Sequence, residues 1–226
     1  MSIADNIAHV KQRIRAAAQR SGRNPDDIAL VAVTKTITAE IIEQAISHGI
    51  SIIGENRVQE AKRKYADITD PVTWHMVGHL QTNKVKDALK IFSLIHSLDS
   101  LRLAREINKR ATKPIACLIE VNTSEETTKY GIKPAQILKF FSDLQPFTNI
   151  AVQGLMTIGP GWAIHDPQAS RSSFKLLRTL RDDLQRQFHT TLPVLSMGMT
   201  SDFEVAIEED STMVRIGTAI FGPRSP

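Results

Sequence analysis

The chain has 226 residues, 42% hydrophobic and 23% charged, ordinary globular usage that excludes a largely disordered, collagen-like or repetitive protein. Its 28 Lys and Arg against 24 Asp and Glu give a formal charge of +4, an excess too small and too dispersed to argue for nucleic acid. One cysteine, Cys117, allows neither an internal disulfide nor a thiolate zinc site, and its apolar neighbours from Ile115 to Ile119 read as a buried strand in which it packs inertly. No apolar run approaches the ~20 residues needed to cross a bilayer. Residues Met1 to Val10 lack the continuous apolar stretch of a secretory signal, so a soluble, cytoplasmic protein is expected.

In chain order, Ser2 and Asp5 form a capping box with Asp in the usual Glu place, and Ile3, Ile7, Val10 and Ile14 follow at helical spacing. This helix should stop at Ser21-Gly22, where glycine accepts the left-handed conformation, and Asn24-Pro25 turns the chain onward. Eight short apolar runs come next: Ile28 to Val33, Ser51 to Ile53, Trp74 to Val77, Phe92 to Ile95, Ile115 to Val121, Val152 to Met156, Val194 to Ser196 and Met213 to Ile216. Between them lie amphipathic patterns, such as Ile41, Ile42, Ala45 and Ile46, or Phe174, Leu177, Leu180, Leu184 and Phe188. Eight strand and helix units over this length predict a (β/α)8 TIM barrel, with a doubly wound open sheet as the alternative if a strand is miscounted. No linker divides the chain, so one domain over residues 1–226 is expected, with residues 1–22 as an added N-terminal helix and 28–222 as the barrel. Gly159 through Pro167 reads as an exposed loop after the sixth strand.

In such a barrel, reactive groups belong at the C-terminal ends of strands, where the loops converge. Lys35 directly follows the first strand; desolvation there would lower its pKa and free the amine to attack a carbonyl, although a solvated strand-end lysine has the same signature. Ser196-Met197-Gly198-Met199-Thr200 and Arg215-Ile216-Gly217-Thr218 follow the seventh and eighth strands and combine flexible backbone with hydroxyls, as a phosphate site requires. Two ordinary glycine turns are the plainer alternative. Asn56 and His79 follow the second and third strands and could face the same mouth or brace loops. The other histidines lack metal-ligand spacing, and no P-loop, dinucleotide fingerprint or nucleophile elbow is present.

Taken together, Leu30 to Thr36, Gly54-Glu55-Asn56 with Val58-Gln59-Glu60, Trp74-His75 through Gly78-His79-Leu80-Gln81, Asn83 to Lys86, Gly154 to Gly159, Ser196 to Met199 and Val214 to Gly222 resemble the pyridoxal phosphate homeostasis protein family, in the same order from about residue 28 to the C-terminus. The resemblance implies a fold-type III barrel like the N-terminal domain of alanine racemase, with pyridoxal 5′-phosphate held as a Schiff base on Lys35. It implies phosphate contacts from Ser196, Gly198, Met199, Thr200, Gly217 and Thr218. Arg215 corresponds to the arginine facing the pyridine nitrogen, and Asn56 to a residue beside the cofactor. Alanine racemases use a tyrosine acid and base on a second domain, which this chain has no room for, and Tyr65 and Tyr130 do not reproduce that arrangement. The expected function is therefore a monomeric carrier acting in pyridoxal phosphate, vitamin B6 and amino-acid homeostasis without catalytic turnover. Its partners would be apoenzymes needing the cofactor or a regulatory protein, with neither nucleic acid nor membrane involved; a small racemase-like enzyme is the alternative. Two departures stand out: Ile37 replaces a common second lysine, and Thr34 replaces a common serine. Lys129 matches a family lysine near the ligand, or is an ordinary loop lysine.

Overall fold

The computed structural model describes residues 2–223 other than Glu125 and Thr127. Eight parallel strands close on themselves in sequence order: β1 (Ala29–Val33), β2 (Ile52–Glu55), β3 (Thr73–Met76), β4 (Leu94–Leu98), β5 (Ile115–Glu120), β6 (Ile150–Met156), β7 (Val194–Ser196) and β8 (Met213–Ile216). Closure is made by β1 against β8, with Val31 opposite Arg215. All eight expected strands are present, and the open-sheet alternative falls to the β1–β8 pairing. The largest boundary difference is β4, which runs on through His96 and Ser97 to Leu98. Those two polar residues interrupt the apolar run but are fully buried in the barrel.

Helices α1 (Ile3–Arg20), α2 (Ala39–Ser47), α3 (Val58–Asp67), α4 (Val85–Ala88), α5 (Leu101–Arg110), α6 (Ile137–Leu144), α7 (Arg171–Phe188), α8 (Phe203–Glu208) and α9 (Thr218–Phe221) surround the strands. The opening helix starts at the expected capping box: Asp5 N–H donates to Ser2 Oγ at 3.2 Å, and Ser2 N–H donates to Asp5 Oδ2 at 2.9 Å. It ends where Gly22 takes φ +68° and Arg23 N–H returns to Ala18 O. Its apolar stripe, Ile7, Val10, Ile14, Ala17 and Ala18, is buried against α8, α9 and α2. Asn6 donates to Ile220 O at 2.9 Å, and Arg23 donates to the carbonyls of Ile207 and Ser211, so α1 straps the last units of the barrel to the first. The stretch after β6 is exposed at Trp162 and Ile164, as expected, and carries two short 3-10 turns, Gly161–Ile164 and Pro167–Ser170.

Two apolar layers result. Residues pointing outward from the strands meet the helices in the main core, which includes Ile53, Ile95, Ile119, Leu155, Leu195 and Ile216. A smaller cluster of Val31, Leu94, Leu118, Met156 and Met213 fills the lower barrel interior, and polar side chains occupy the interior above it. Cys117 points outward into the main core, where burial pushes its thiol up to about 12. A thiol so far from ionisation is unreactive at neutral pH. Among the described residues, no helix is long and apolar enough to cross a membrane.

Candidate functional site

The mouth of the barrel is built from strand ends, and the first of these is anchored from below. Thr34 ends the first strand's buried stretch, and Thr36 takes φ +65°, an unusual conformation for a β-branched residue. It is held by a buried cluster: Lys64 on α3 donates to Thr34 O at 2.7 Å, Glu55 Oε1 at 2.7 Å and Glu60 Oε1 at 2.6 Å. Glu60 Oε1 also accepts from Thr36 N–H, and Thr34 Oγ1 donates to Glu55 Oε1 at 2.7 Å. All three ammonium protons of Lys64 are thus matched with acceptors. Burial pushes the fully enclosed Glu55 carboxyl above its ordinary range, with hydrogen bonds from Lys64 and Thr34 opposing that rise. The turn carrying Lys35 is therefore fixed by charges that the sequence shows only as a helix face.

Lys35 itself is half-buried and lines a cavity of about 350 Å³ together with Val33, Ile164, Met199, Thr200, Ser201, Arg215, Gly217 and Thr218. Six of the expected site residues, Lys35, Met199, Thr200, Arg215, Gly217 and Thr218, meet there. The two late loops are tied together by Ala219 N–H donating to Thr200 Oγ1 at 3.3 Å. Gly198 is required beneath them. Its φ is +93°, and a Cβ at that position would lie 2.6 Å from Ala206 Cβ and 2.8 Å from Phe203 Cα. Asn56 directly follows β2, and among the described residues its buried Oδ1 has no hydrogen-bond partner. A buried acceptor of this kind calls for a donor, which a water or a ligand can supply.

Ser196 stands lower. It is fully buried in the barrel interior, where its Oγ accepts from Arg215 Nη1 at 2.6 Å and lies 3.0 Å from His96 Nδ1. Arg215 also donates to Thr157 O at 2.8 Å, and His96 Nε2 lies 3.1 Å from His75 Nδ1. Burial pulls His75 down to about 4, and His96 lower than its usual range through burial, His75 and Arg215, so both rings are neutral at physiological pH. Burial also pulls Arg215 down to about 10, still a full cation at pH 7. A line of uncharged hydrogen-bonding rings therefore supports one cation at the floor of the cavity. His96 is not singled out by spacing, although its inward strand register with His75 is a usable signal.

The remaining candidates lie on the other side of the mouth. His79 Nδ1 is 2.9 Å from Asp99 Oδ2, and its ring stacks on Tyr130 at 4.0 Å. Lys129 donates to Gly159 O at 2.7 Å and to Ser124 Oγ at 3.1 Å, and it pairs with Glu126 at 2.6 Å. Among the described residues, no group of three or more His, Cys, Asp or Glu side chains could hold a metal ion.

Comparison with known proteins shows the family and the fold. Residues 5–225 match the family model of the alanine racemase N-terminal domain. A pyridoxal phosphate homeostasis protein from Aquifex aeolicus is 45% identical over 99% of both chains, and one from Escherichia coli K12 is 36% identical over 98% of this chain and 97% of that one. This chain belongs to the pyridoxal phosphate homeostasis protein family. PipY of Synechococcus elongatus, in a structure with PLP bound, superposes with a TM-score of 0.85 at 31% identity, covering 98% of this chain and all of that one. An alanine racemase from Corynebacterium glutamicum shares the fold at a TM-score of 0.72 and 19% identity, with the match covering 62% of the racemase.

Proposed function

We propose that this protein binds pyridoxal 5′-phosphate reversibly through Lys35 and acts in its homeostasis as a carrier, not as an enzyme. The observation that carries this reading is the convergence of an amine, a buried guanidinium and two hydroxyl-bearing loops on one cavity of about 350 Å³. When bound, the cofactor supplies an aldehyde that condenses with an amine and a ring that withdraws electrons.

The residues present suit such a group. Lys35 offers the amine. Thr200 and Thr218 offer hydroxyls, and the Thr218 N–H, the first of α9, adds a donor for a phosphate, while Ala219 N–H is spent on Thr200 Oγ1 and Ile220 N–H on Gly217 O. The open Asn56 Oδ1 offers an acceptor to a ligand donor. Arg215 keeps its own charge, and a fixed cation disfavours a second proton beside it. A ring nitrogen facing Arg215 would stay unprotonated, which weakens the ring as an electron sink and with it carbanion chemistry.

The tyrosines also favour a carrier. Tyr65 packs edge-on to Trp74, on the outward side of β3, and Tyr130 stacks on His79; neither lines the Lys35 cavity. The curated relatives are named homeostasis proteins. A cytoplasmic monomer delivering cofactor to apoenzymes completes the proposal.

The test is borohydride reduction of the purified protein after incubation with pyridoxal phosphate, followed by peptide mapping. The reduced label should sit on the Lys35 peptide and be lost in Lys35→Ala. Absence of label from the wild-type protein would sink the binding reading. Steady racemisation or keto-acid formation with any of a panel of amino acids would replace the carrier by an enzyme.

A further inference from the structure

A second cavity, of about 400 Å³, lies at the lower end of the barrel, between α1 and the beginnings of the first two strands. It exists because those strands part. β1 pairs β8 at every residue from Ala29 to Ala32, but it pairs β2 only at Ala32 and Val33, so no β1–β2 pair forms alongside Ala29, Leu30 or Val31. Ile14, Ile28, Leu30, Ile50 and Ile52 give the resulting gap an apolar lining. Leu30 and Ile52 are only half-buried there, unlike the other three.

Cations form one rim. Lys11 and Arg15 lie a turn apart on α1 and line the cavity together. Lys11 is half-buried, and its ammonium donates to Gly49 O at 3.0 Å, a reach that the missing side chain leaves open, since a Cβ at Gly49 would lie 3.0 Å from Lys11 Nζ. That carbonyl takes one of the three ammonium protons. Arg13 and Arg20 on the same helix are paired with Glu204 and Glu208 of α8, whereas among the described residues neither Lys11 nor Arg15 forms an ion pair. Asp26 is the one acid among the lining residues, so the cavity carries a surplus of positive charge, and Ser51 adds a hydroxyl.

We propose that this cavity binds a small carboxylate with a compact apolar body, the carboxylate between Lys11 and Arg15 and the body against Leu30 and the isoleucines. A carboxylate accepts from both cations at once, and the planar guanidinium of Arg15 presents it with paired N–H donors. The body covers apolar surface that the parted strands leave open to water. A bare anion would use the rim alone, and a neutral apolar molecule the lining alone. The cavity meets the first residues of β1 and Lys35 follows its last, so this site is at the opposite end of the strand and forms whether or not the upper cavity is filled.

The test is an NMR titration of the full-length protein with sodium benzoate at neutral pH, with acetate and benzyl alcohol as partial probes. Saturable benzoate binding is expected, unchanged in Lys35→Ala and roughly two- to fivefold weaker in each of Lys11→Gln and Arg15→Gln, the size of effect of a partly exposed ion pair. Acetate keeps the charge without the body and benzyl alcohol the body without the charge, so both should bind more weakly than benzoate. Thermal melts establish that each variant is folded. No benzoate binding by the wild type overturns the site. So does benzoate binding that survives both charge substitutions in one chain, so does acetate or benzyl alcohol binding as tightly as benzoate, and so does binding lost in Lys35→Ala, which assigns benzoate to the upper cavity.

Discussion

Arg215 and Ser196 are joined by a 2.6 Å hydrogen bond inside the barrel, linking β8 to β7 beneath the Lys35 cavity. The serine hydroxyl is the hinge of a longer chain, since His96 approaches it from β4 and His75 approaches His96 from β3. Ser196 therefore holds a buried cation in place beneath the cavity.

Ser196→Ala should lower stability by about 1–3 kcal/mol, the penalty for leaving buried donors without their acceptor. Urea unfolding without added ligand measures it. A loss seen only in the presence of pyridoxal phosphate would instead make the hydroxyl a direct ligand contact.

Lys64 compensates two carboxylates and a carbonyl at once. Lys64→Met leaves Glu55, fully buried, without its cation, and should destabilise by roughly 3–5 kcal/mol. Adding Glu55→Gln should recover part of that loss, since the uncompensated charge is then gone. Equal stability of the single and double variants in urea would show that the cluster acts by packing alone.

Eight strands were legible in the sequence because each alternates or runs apolar between turn signals, and closure followed from their number. Lys35, Arg215, Thr200, Gly217 and Thr218 were legible as strand-end residues, and the fold brings them to one cavity. Ser196 lies one layer below these because it is the last residue of β7, two positions before Gly198, and strand alternation separates successive inward layers. Lys64 and Glu120 were not legible, and His96 only through its strand register with His75. A lysine on an amphipathic helix, an acid ending an apolar strand and a histidine within one acquire meaning only when the barrel closes and sets their neighbours.

Gly198 shows how close that closure is. Gly198→Ala must place a methyl group against Ala206 and the Phe203 backbone while keeping φ near +93°. Asp202 pins the same loop from both sides, accepting from Met199 N–H and Ser170 Oγ at 2.7 Å each, so there is little room to relax. The substitution should cost about 1–3 kcal/mol in stability. It should also displace Met199 and Thr200 enough to weaken pyridoxal phosphate uptake, followed by absorbance titration. Undiminished uptake would mean that the first late loop contributes little to the cavity.

Glu120 supplies a pH dependence of definite sign. Its carboxyl is pushed up to about 7 from an ordinary 4.5, so the folded protein holds the proton more tightly than the unfolded chain. The resulting stabilisation is fully present below about 4.5, shrinks as the pH rises, and is gone above about 7. Its size is on the order of 3 kcal/mol, from about 1.4 kcal/mol per pH unit. His75 acts in the opposite sense: held down to about 4, it costs stability as the pH falls from 6.5 toward 4, because the unfolded chain takes up its proton first. The two trends overlap, so the wild-type curve alone does not separate them. Subtracting the curve of Glu120→Gln does, since His75 and its neighbour His96 are common to both proteins. Relative to wild type, the variant should gain about 3 kcal/mol between pH ~4.5 and ~8, measured by urea unfolding across that range. A flat difference would show that Glu120 finds a partner or water in solution and titrates normally.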